Sequence, residues 1–182
     1  MWRFVLAALP LLLSSIVNAQ VSNDKRIVPG QRIGPWTVEM TINDLNRING
    51  PKQAIGNLPD QTEFLPGQQD LVKPLWVHRW DHVRLRVLTV ERGDQQVVGL
   101  TIFDDSYKTA EGIGIGSTRE QVIAAFGPPT AVTDPNPNQQ HLVYDKLGVT
   151  FRVWRNRPPP EQTIVLVNVF RDGTARERWK YD

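Results

Sequence analysis

One stretch of helical punctuation occurs twice in this chain. Thr41-Ile42-Asn43-Asp44-Leu45-Asn46-Arg47-Ile48-Asn49-Gly50-Pro51 returns, at an offset of 77, as Thr118-Arg119-Glu120-Gln121-Val122-Ile123-Ala124-Ala125-Phe126-Gly127-Pro128. Thr41 and Thr118 are N-cap candidates. Asp44 and Gln121 stand three residues later, where Gln121 can complete a capping box. Leu45 and Ile48, like Val122, Ile123 and Phe126, lay an apolar stripe at helical spacing. Gly50 and Gly127 suit the left-handed position after a helix, and the following Pro forbids its continuation. Two copies of one supersecondary unit are the simplest reading.

The strands repeat as well. Val77-His78 to Val87 aligns with Val143-Tyr144 to Val153 at an offset of 66, and Val98, Leu100, Ile102, Phe103 and Asp105 align with Val165, Val167, Val169, Phe170 and Asp172 at 67. The first copy carries about eleven extra residues between helix and first strand, in a Pro-, Gly- and Gln-rich loop around 56–74. The one-residue slip falls in turns at 91–94 and 157–160, where length costs little. In each second strand, Val83, Leu85 and Val87, or Val149, Phe151 and Val153, alternate with Arg84, Arg86 and Leu88, or Thr150, Arg152 and Trp154. Val98, Leu100 and Ile102 oppose Gly99, Thr101 and Phe103, as Val165, Val167 and Val169 oppose Leu166, Asn168 and Phe170. One aliphatic face per copy specifies an antiparallel sheet buried on one side, and each helix covers that face. The expected fold is α+β: two tandem αβββ units, over 20–108 and 109–182, able to join into one sheet with the helices packed on one face. Gln31 to Glu39 is expected to add a short strand.

The first 19 residues read as a secretory leader: Arg3, an apolar run from Phe4 to Val17, and Val17-Asn18-Ala19 as a small-x-small cleavage site. The run is shorter than the roughly 20 residues a spanning helix needs, so no transmembrane segment is expected after cleavage. Removal leaves 163 residues and a net charge of +1, because Arg3 is the only charge lost from +2. Near-neutral charge gives no support to nucleic-acid binding. With no cysteine, disulfides, thiolate metal sites and cysteine nucleophiles are excluded, and the core alone must hold the exported chain together.

Gly114-Ile115-Gly116-Ser117-Thr118-Arg119-Glu120-Gln121-Val122, closing with Phe126-Gly127-Pro128-Pro129-Thr130, resembles the signature of the fold shared by beta-lactamase inhibitory protein and the small SmpA/OmlA (BamE-like) envelope lipoproteins. The inhibitory protein is itself a tandem of two such units, so the resemblance covers roughly residues 31–175. It implies the architecture above, a bacterial origin and a role in protein binding, with no specific partner. The lipid anchor and disulfides of those proteins have no counterpart in a chain without cysteine.

No catalytic constellation, metal site or cofactor is expected. His78 and His82 flank Asp81, but an i, i+4 pair grips zinc only on a helix. Along a strand the two lie about 13 Å apart. His141 is a lone histidine at a strand entry. Asp104-Asp105 ends a strand and reads as turn-forming. Gly112, Gly114 and Gly116 precede a helix without the parallel strand a phosphate loop requires, and read as glycines allowing close approach over the sheet. Ser117 lacks the setting of a nucleophile.

What remains is the outward sheet face. By the alignment it gathers Trp76, His78, Arg84, Arg86, Leu88 and Phe103 from the first unit, and Leu142, Tyr144, Arg152, Trp154, Leu166 and Phe170 from the second. Aromatic residues and Arg are the composition of interface anchors. The sequence therefore points to a periplasmic or secreted, non-catalytic protein-binding module whose partner is another envelope or secreted protein. The candidate contact residues are Trp76, His78, Arg84, Arg86, Phe103, Tyr144, Arg152, Trp154 and Phe170. A small-molecule or lipid-binding domain using the groove between units is the alternative. Packing of the two sheets on each other, or a cover supplied by Trp179 and Tyr181, would instead make these residues core.

Overall fold

A computed structural model describes residues 24–51, 75–90, 96–156 and 162–170. The leader with its cleavage site, the loop insertion, and Trp179 and Tyr181 lie outside the described residues. Three two-residue strands, β1 (Ile27–Val28), β2 (Arg32–Ile33) and β3 (Trp36–Thr37), form a small antiparallel sheet where one short strand was expected. Helix α1 (Ile42–Asn49) follows, then β4 (Leu75–Trp80), β5 (Leu85–Val90) and β6 (Val97–Ile102). The second unit has α2 (Arg119–Phe126), an additional strand β7 (Ala131–Asn136), then β8 (Gln139–Tyr144), β9 (Val149–Trp154) and β10 (Ile164–Phe170). The seven larger strands form one antiparallel sheet in the order β4-β5-β6-β10-β9-β8-β7. The fold is α+β, and the two units join edge to edge through β6 and β10.

Both helices are set by their caps. The Thr41 hydroxyl accepts from Asp44 N at 3.2 Å while Thr41 N donates to Asp44 Oδ2 at 2.9 Å. Thr118 and Gln121 make the same reciprocal pair at 3.2 and 2.8 Å. The capping box thus occurs in both copies, with Asp44 reaching as far as Gln121 does. Gly50 and Gly127 close the helices at φ +77° and +75°. Each unit then ties its helix start to its last strand: Val97 N donates to Met40 O at 2.8 Å, and Ile164 N to Ser117 O at 2.8 Å.

Superposing elements rather than letters corrects the alignment. β4 and β5 match β8 and β9 at an offset of 64, not 66, because each strand pair is joined by a 3-10 turn, Asp81–Val83 or Asp145–Leu147, ending in a left-handed residue, Arg84 or Gly148. The sequence match therefore slipped by two residues, which leaves face parity intact. The four-residue connection sets the register Trp80↔Leu85 and His78↔Val87, and likewise Tyr144↔Val149 and Leu142↔Phe151. Cross-strand partners share a face. His78, Leu142 and Tyr144 therefore turn toward the helices, opposite to expectation. A bulge at the same place in both last strands, Val98 and Val165, brings Val97 and Ile164 onto the helix side in place of those two residues.

The core lies on that side. Leu85, Val87, Leu100, Ile102, Val149, Phe151, Val153, Val167 and Val169 join Ile42 and Leu45 of α1, Val122 of α2, and Ile27, Ile33 and Trp36 of the small sheet in one buried cluster. Trp80 and Tyr144, equivalent at the offset of 64, are both buried in it. Each carries a polar tip to the glycine ending its unit's helix: Trp80 Nε1 to Gly50 O at 3.3 Å, Tyr144 OH to Gly127 O at 2.9 Å.

Candidate functional site

The helices and the small sheet all pack on one face; on the other, the middle of the sheet is buried too, from Thr101 and Asn168 to Thr150 and His141, and the candidate surface is what remains at its margins, Trp154 and the half-buried arginines. Its backbone is laid out by register. One row crosses all seven strands: Arg79, Arg86, Thr101, Asn168, Thr150, Val143, Ala131. A second row runs Leu166, Arg152, His141, Thr133. Trp154 stands opposite Gln139 at the end of β9. These positions carry three arginines and no carboxylate. Thr101 and Asn168, equivalent at the offset of 67, face each other, so the pseudo-twofold axis relating the units passes through this pair. Thr101 Oγ1 donates to Asn168 Oδ1.

Of the nine candidate contact residues, the structure brings five to this face, four of them at least partly exposed. Arg86 and Arg152 are half-buried; Trp154 is 37% exposed, one of three large apolar side chains at the surface among the described residues. Phe103, just past β6, lies under the Arg86 guanidinium at 5.1 Å from its ring centre. The others are corrected. Phe170 has the right orientation but is only 1% exposed, packed with Val143 as a small second cluster. Tyr144 is core on the helix side, against Phe126 and Phe151, and burial raises its pKa. His78 is buried on the helix side near Trp80. Arg84 occupies the exposed left-handed turn position. Trp76 pairs with Thr89, and its side chain lies outside the described residues.

Sequence reasoning missed the polar centre of the face. Arg152 Nε donates to His141 Nε2 at 2.7 Å, which places the imidazole proton on Nδ1. Burial, and then the Arg152 charge, push the His141 pKa from 6.5 down to about 4, so the ring is neutral at pH 7. Thr150 is fully buried and Asn168 is 3% exposed. Thr150 Oγ1 and Asn168 Nδ2 have no hydrogen-bond partner, nor does Thr133 Oγ1 on the same face. Elsewhere Asn46 Oδ1 and Asn49 Nδ2, on α1, share that state. A buried polar atom without a partner costs about 1–3 kcal/mol. The one signal in the sequence is polar Thr101, Thr150 and Asn168 inside otherwise apolar strands.

The remaining motifs are structural. His82 lies in the 3-10 turn with Nε2 3.0 Å from Asn49 O, and no group of metal-ligating side chains occurs among the described residues. Asp104 accepts from Ser106 N at 2.9 Å and Oγ at 2.6 Å, a turn that lowers its pKa. Gly112 and Gly116 are left-handed, and a Cβ on Gly114 would meet Tyr107 O at 2.3 Å; the close approach is to the loop's own backbone, not the sheet. A cleft of about 430 Å³ beside α2, lined by Glu111, Ile113, Ser117, Gln121 and Ala125, lies within the second unit. No described helix is long and apolar enough to cross a membrane.

No protein-family model matches the chain, and no curated protein matches it. Among solved structures, it is similar to a DUF4309 family protein (YjgB) from Bacillus subtilis, with a TM-score of 0.44 at 17% identity, covering 79% of this chain and 88% of that one. The uncharacterized protein yfeY from Escherichia coli gives 0.48 at 14% identity, over 79% and 99% of the two chains. An extracellular protein containing a SCP domain from Bacillus anthracis gives 0.45 at 13% identity; the match covers 80% of this chain and 47% of that protein.

Proposed function

We propose that this chain is an exported, non-catalytic protein-binding module whose contact surface is the sheet face opposite the helices, centred on Arg152 and Trp154 with Arg86 and Phe103 at its other end. The observation that carries this reading is Trp154: a large indole at the surface, on the face that the helices leave, beside an arginine. Trp and Arg are the side chains that dominate binding energy at protein interfaces. The tandem repeat resembles that of beta-lactamase inhibitory protein, which supports a docking role, and the proposed partner is another envelope or secreted protein. The module works by docking, with no bond made or broken.

The test is photo-crosslinking in the native extracytoplasmic compartment. A benzophenone amino acid replaces Trp154 in one variant and the exposed α2 residue Ala125 in another. Adducts with a second protein are expected from position 154, absent from 125, and reduced by Arg152→Ala. Equal labelling from both positions, or none from 154, would overturn the assignment of this face.

A further inference from the structure

Asn49-Gly50 is the single Asn-Gly pair in the chain, and the fold assembles around it the parts of a cyclisation centre. An asparagine followed by glycine can close on itself: the glycine nitrogen attacks the side-chain amide carbon and expels ammonia. Three atoms decide whether a folded chain permits this: the attacking nitrogen, the oxygen on the attacked carbon, and the leaving nitrogen. The attacking nitrogen is free. Gly50 N donates to no acceptor among the described residues, whereas its counterpart Gly127 N is held by Ile123 O at 2.8 Å. Inside a helix the following nitrogen is bonded four residues back. Asn49 is the last residue of α1, and turning its ψ to bring Gly50 N over Cγ takes no hydrogen bond from that nitrogen. Gly50, at φ +77°, adds no side chain, and the space a Cβ would fill is empty out to 4 Å.

The attacked amide is held and polarised. Trp36 Nε1, from a side chain buried on β3, donates to Asn49 Oδ1 at 2.9 Å, the atom on which negative charge gathers as Cγ becomes tetrahedral. The leaving nitrogen is not held: Asn49 Nδ2 is buried without a hydrogen-bond partner, so its departure breaks none. A second donor serves the nucleophile. His82 Nε2 stands 3.0 Å from Asn49 O. A carbonyl only accepts, so the ring donates, and that oxygen carries the charge when Gly50 N gives up its proton. His82 is exposed in its 3-10 turn and can follow the carbonyl as ψ turns. In the second unit the equivalent pair is Phe126-Gly127, with no amide to attack. We infer that Asn49 is a site of spontaneous covalent modification. Gly50 N loses its proton to water and bonds to Asn49 Cγ, closing a five-membered imide; the Cγ–Nδ2 bond breaks, and the proton ends on Nδ2, which leaves as ammonia. Water then opens one or other imide carbonyl, leaving aspartate or isoaspartate at position 49. Either product carries a carboxylate at the C-terminal end of α1, where the helix dipole disfavours it, beside the hydrogen bond that ties β3 to the helix.

The experiment incubates the protein recovered after export at mildly alkaline pH in 18O water, and follows the tryptic peptide Ile48-Asn49-Gly50-Pro51-Lys52 by tandem mass spectrometry. The folded chain should take up one 18O at position 49, at a rate no lower than the same chain unfolded in urea. His82→Ala and Trp36→Phe, each shown to be folded by circular dichroism, should slow this about tenfold, and the difference should vanish in urea. His82 is exposed, so its variant keeps the test decisive if Trp36→Phe, in the core, does not fold. A folded chain whose position 49 stays asparagine while the unfolded chain converts would overturn the site. A folded rate that neither variant changes would overturn a centre built by the fold.

Discussion

Gly148 is the position where the fold leaves least room, and Gly148→Ala tests it. The residue ends the second 3-10 turn at φ +68°, where an L side chain costs about 1–2 kcal/mol. A Cβ there would lie 2.3 Å from Phe170 O and 2.6 Å from Gly30 Cα, both backbone atoms that cannot swing away. Relief requires moving the end of β10 or the turn between β1 and β2. Both are tied to Gly148 O, which accepts from Phe170 N at 3.0 Å and Gly30 N at 3.1 Å. Weakening these hydrogen bonds adds about 0.5–1.5 kcal/mol each. The expected loss is about 2–5 kcal/mol, a large part of a typical domain's 5–15 kcal/mol, and the midpoint of thermal unfolding should fall by roughly 5–15 °C. Arg84 occupies the equivalent turn position at φ +52° and is an L residue already. Arg84→Ala should therefore change stability by no more than about 0.5 kcal/mol. Urea titrations followed by circular dichroism measure both. A loss below about 1 kcal/mol for Gly148→Ala, or equal losses at the two positions, would refute the packing of the N-terminal turn onto the second unit.

Two further outcomes are expected. Tyr144→Phe removes the hydroxyl from Gly127 O and should destabilise by about 0.5–1.5 kcal/mol, read from the urea midpoint; no change would mean that water serves that carbonyl equally well. His141 is held neutral to about pH 4 in the folded protein and titrates near 6.5 when unfolded. Its unfolded form thus takes up a proton first, and stability is lost as pH falls from 6.5 toward 4, by up to about 3 kcal/mol. His141→Gln keeps an acceptor for Arg152 and should flatten that part of the curve in urea titrations at pH 7, 5.5 and 4.5; an unchanged slope would assign the acid loss to other groups.

The architecture was legible because punctuation and alternation are local. Thr41, Thr118, Gly50 and Gly127 announce two helices, and the Val and Leu alternations of β5, β6, β9 and β10 announce one apolar face. Assigning β4 and β8 to faces was not local. It depends on the parity of the turn joining them to β5 and β9, and a four-residue turn ending left-handed at Arg84 in one copy and Gly148 in the other hides that parity behind unlike residues. Hence His78 and Tyr144 were read as outward when they are inward. Phe170 was placed on the correct face; its burial against Val143, from a different strand, is a tertiary fact. The polar centre escaped notice because Thr150 and Asn168 come together only through the β9–β10 pairing.

The two copies can be compared face by face, since the same backbone serves both. On the helix side, equivalent positions keep their character: Leu85 and Val149, Val87 and Phe151, Leu100 and Val167, Ile102 and Val169 are all buried apolar. Core packing demands this, because either sheet half must bury the same stripe against its helix. On the far side the equivalents differ in kind. Arg79 answers to Val143, Arg86 to Thr150, and Thr101 to Asn168. Core packing against the helices makes no such demand on this face, so its residues are free to differ. Along the row that runs through the pseudo-twofold axis, Arg79 and Arg86 lie in the first unit and Asn168 and Thr150 in the second, so that row is polarised while the scaffold beneath it stays symmetric.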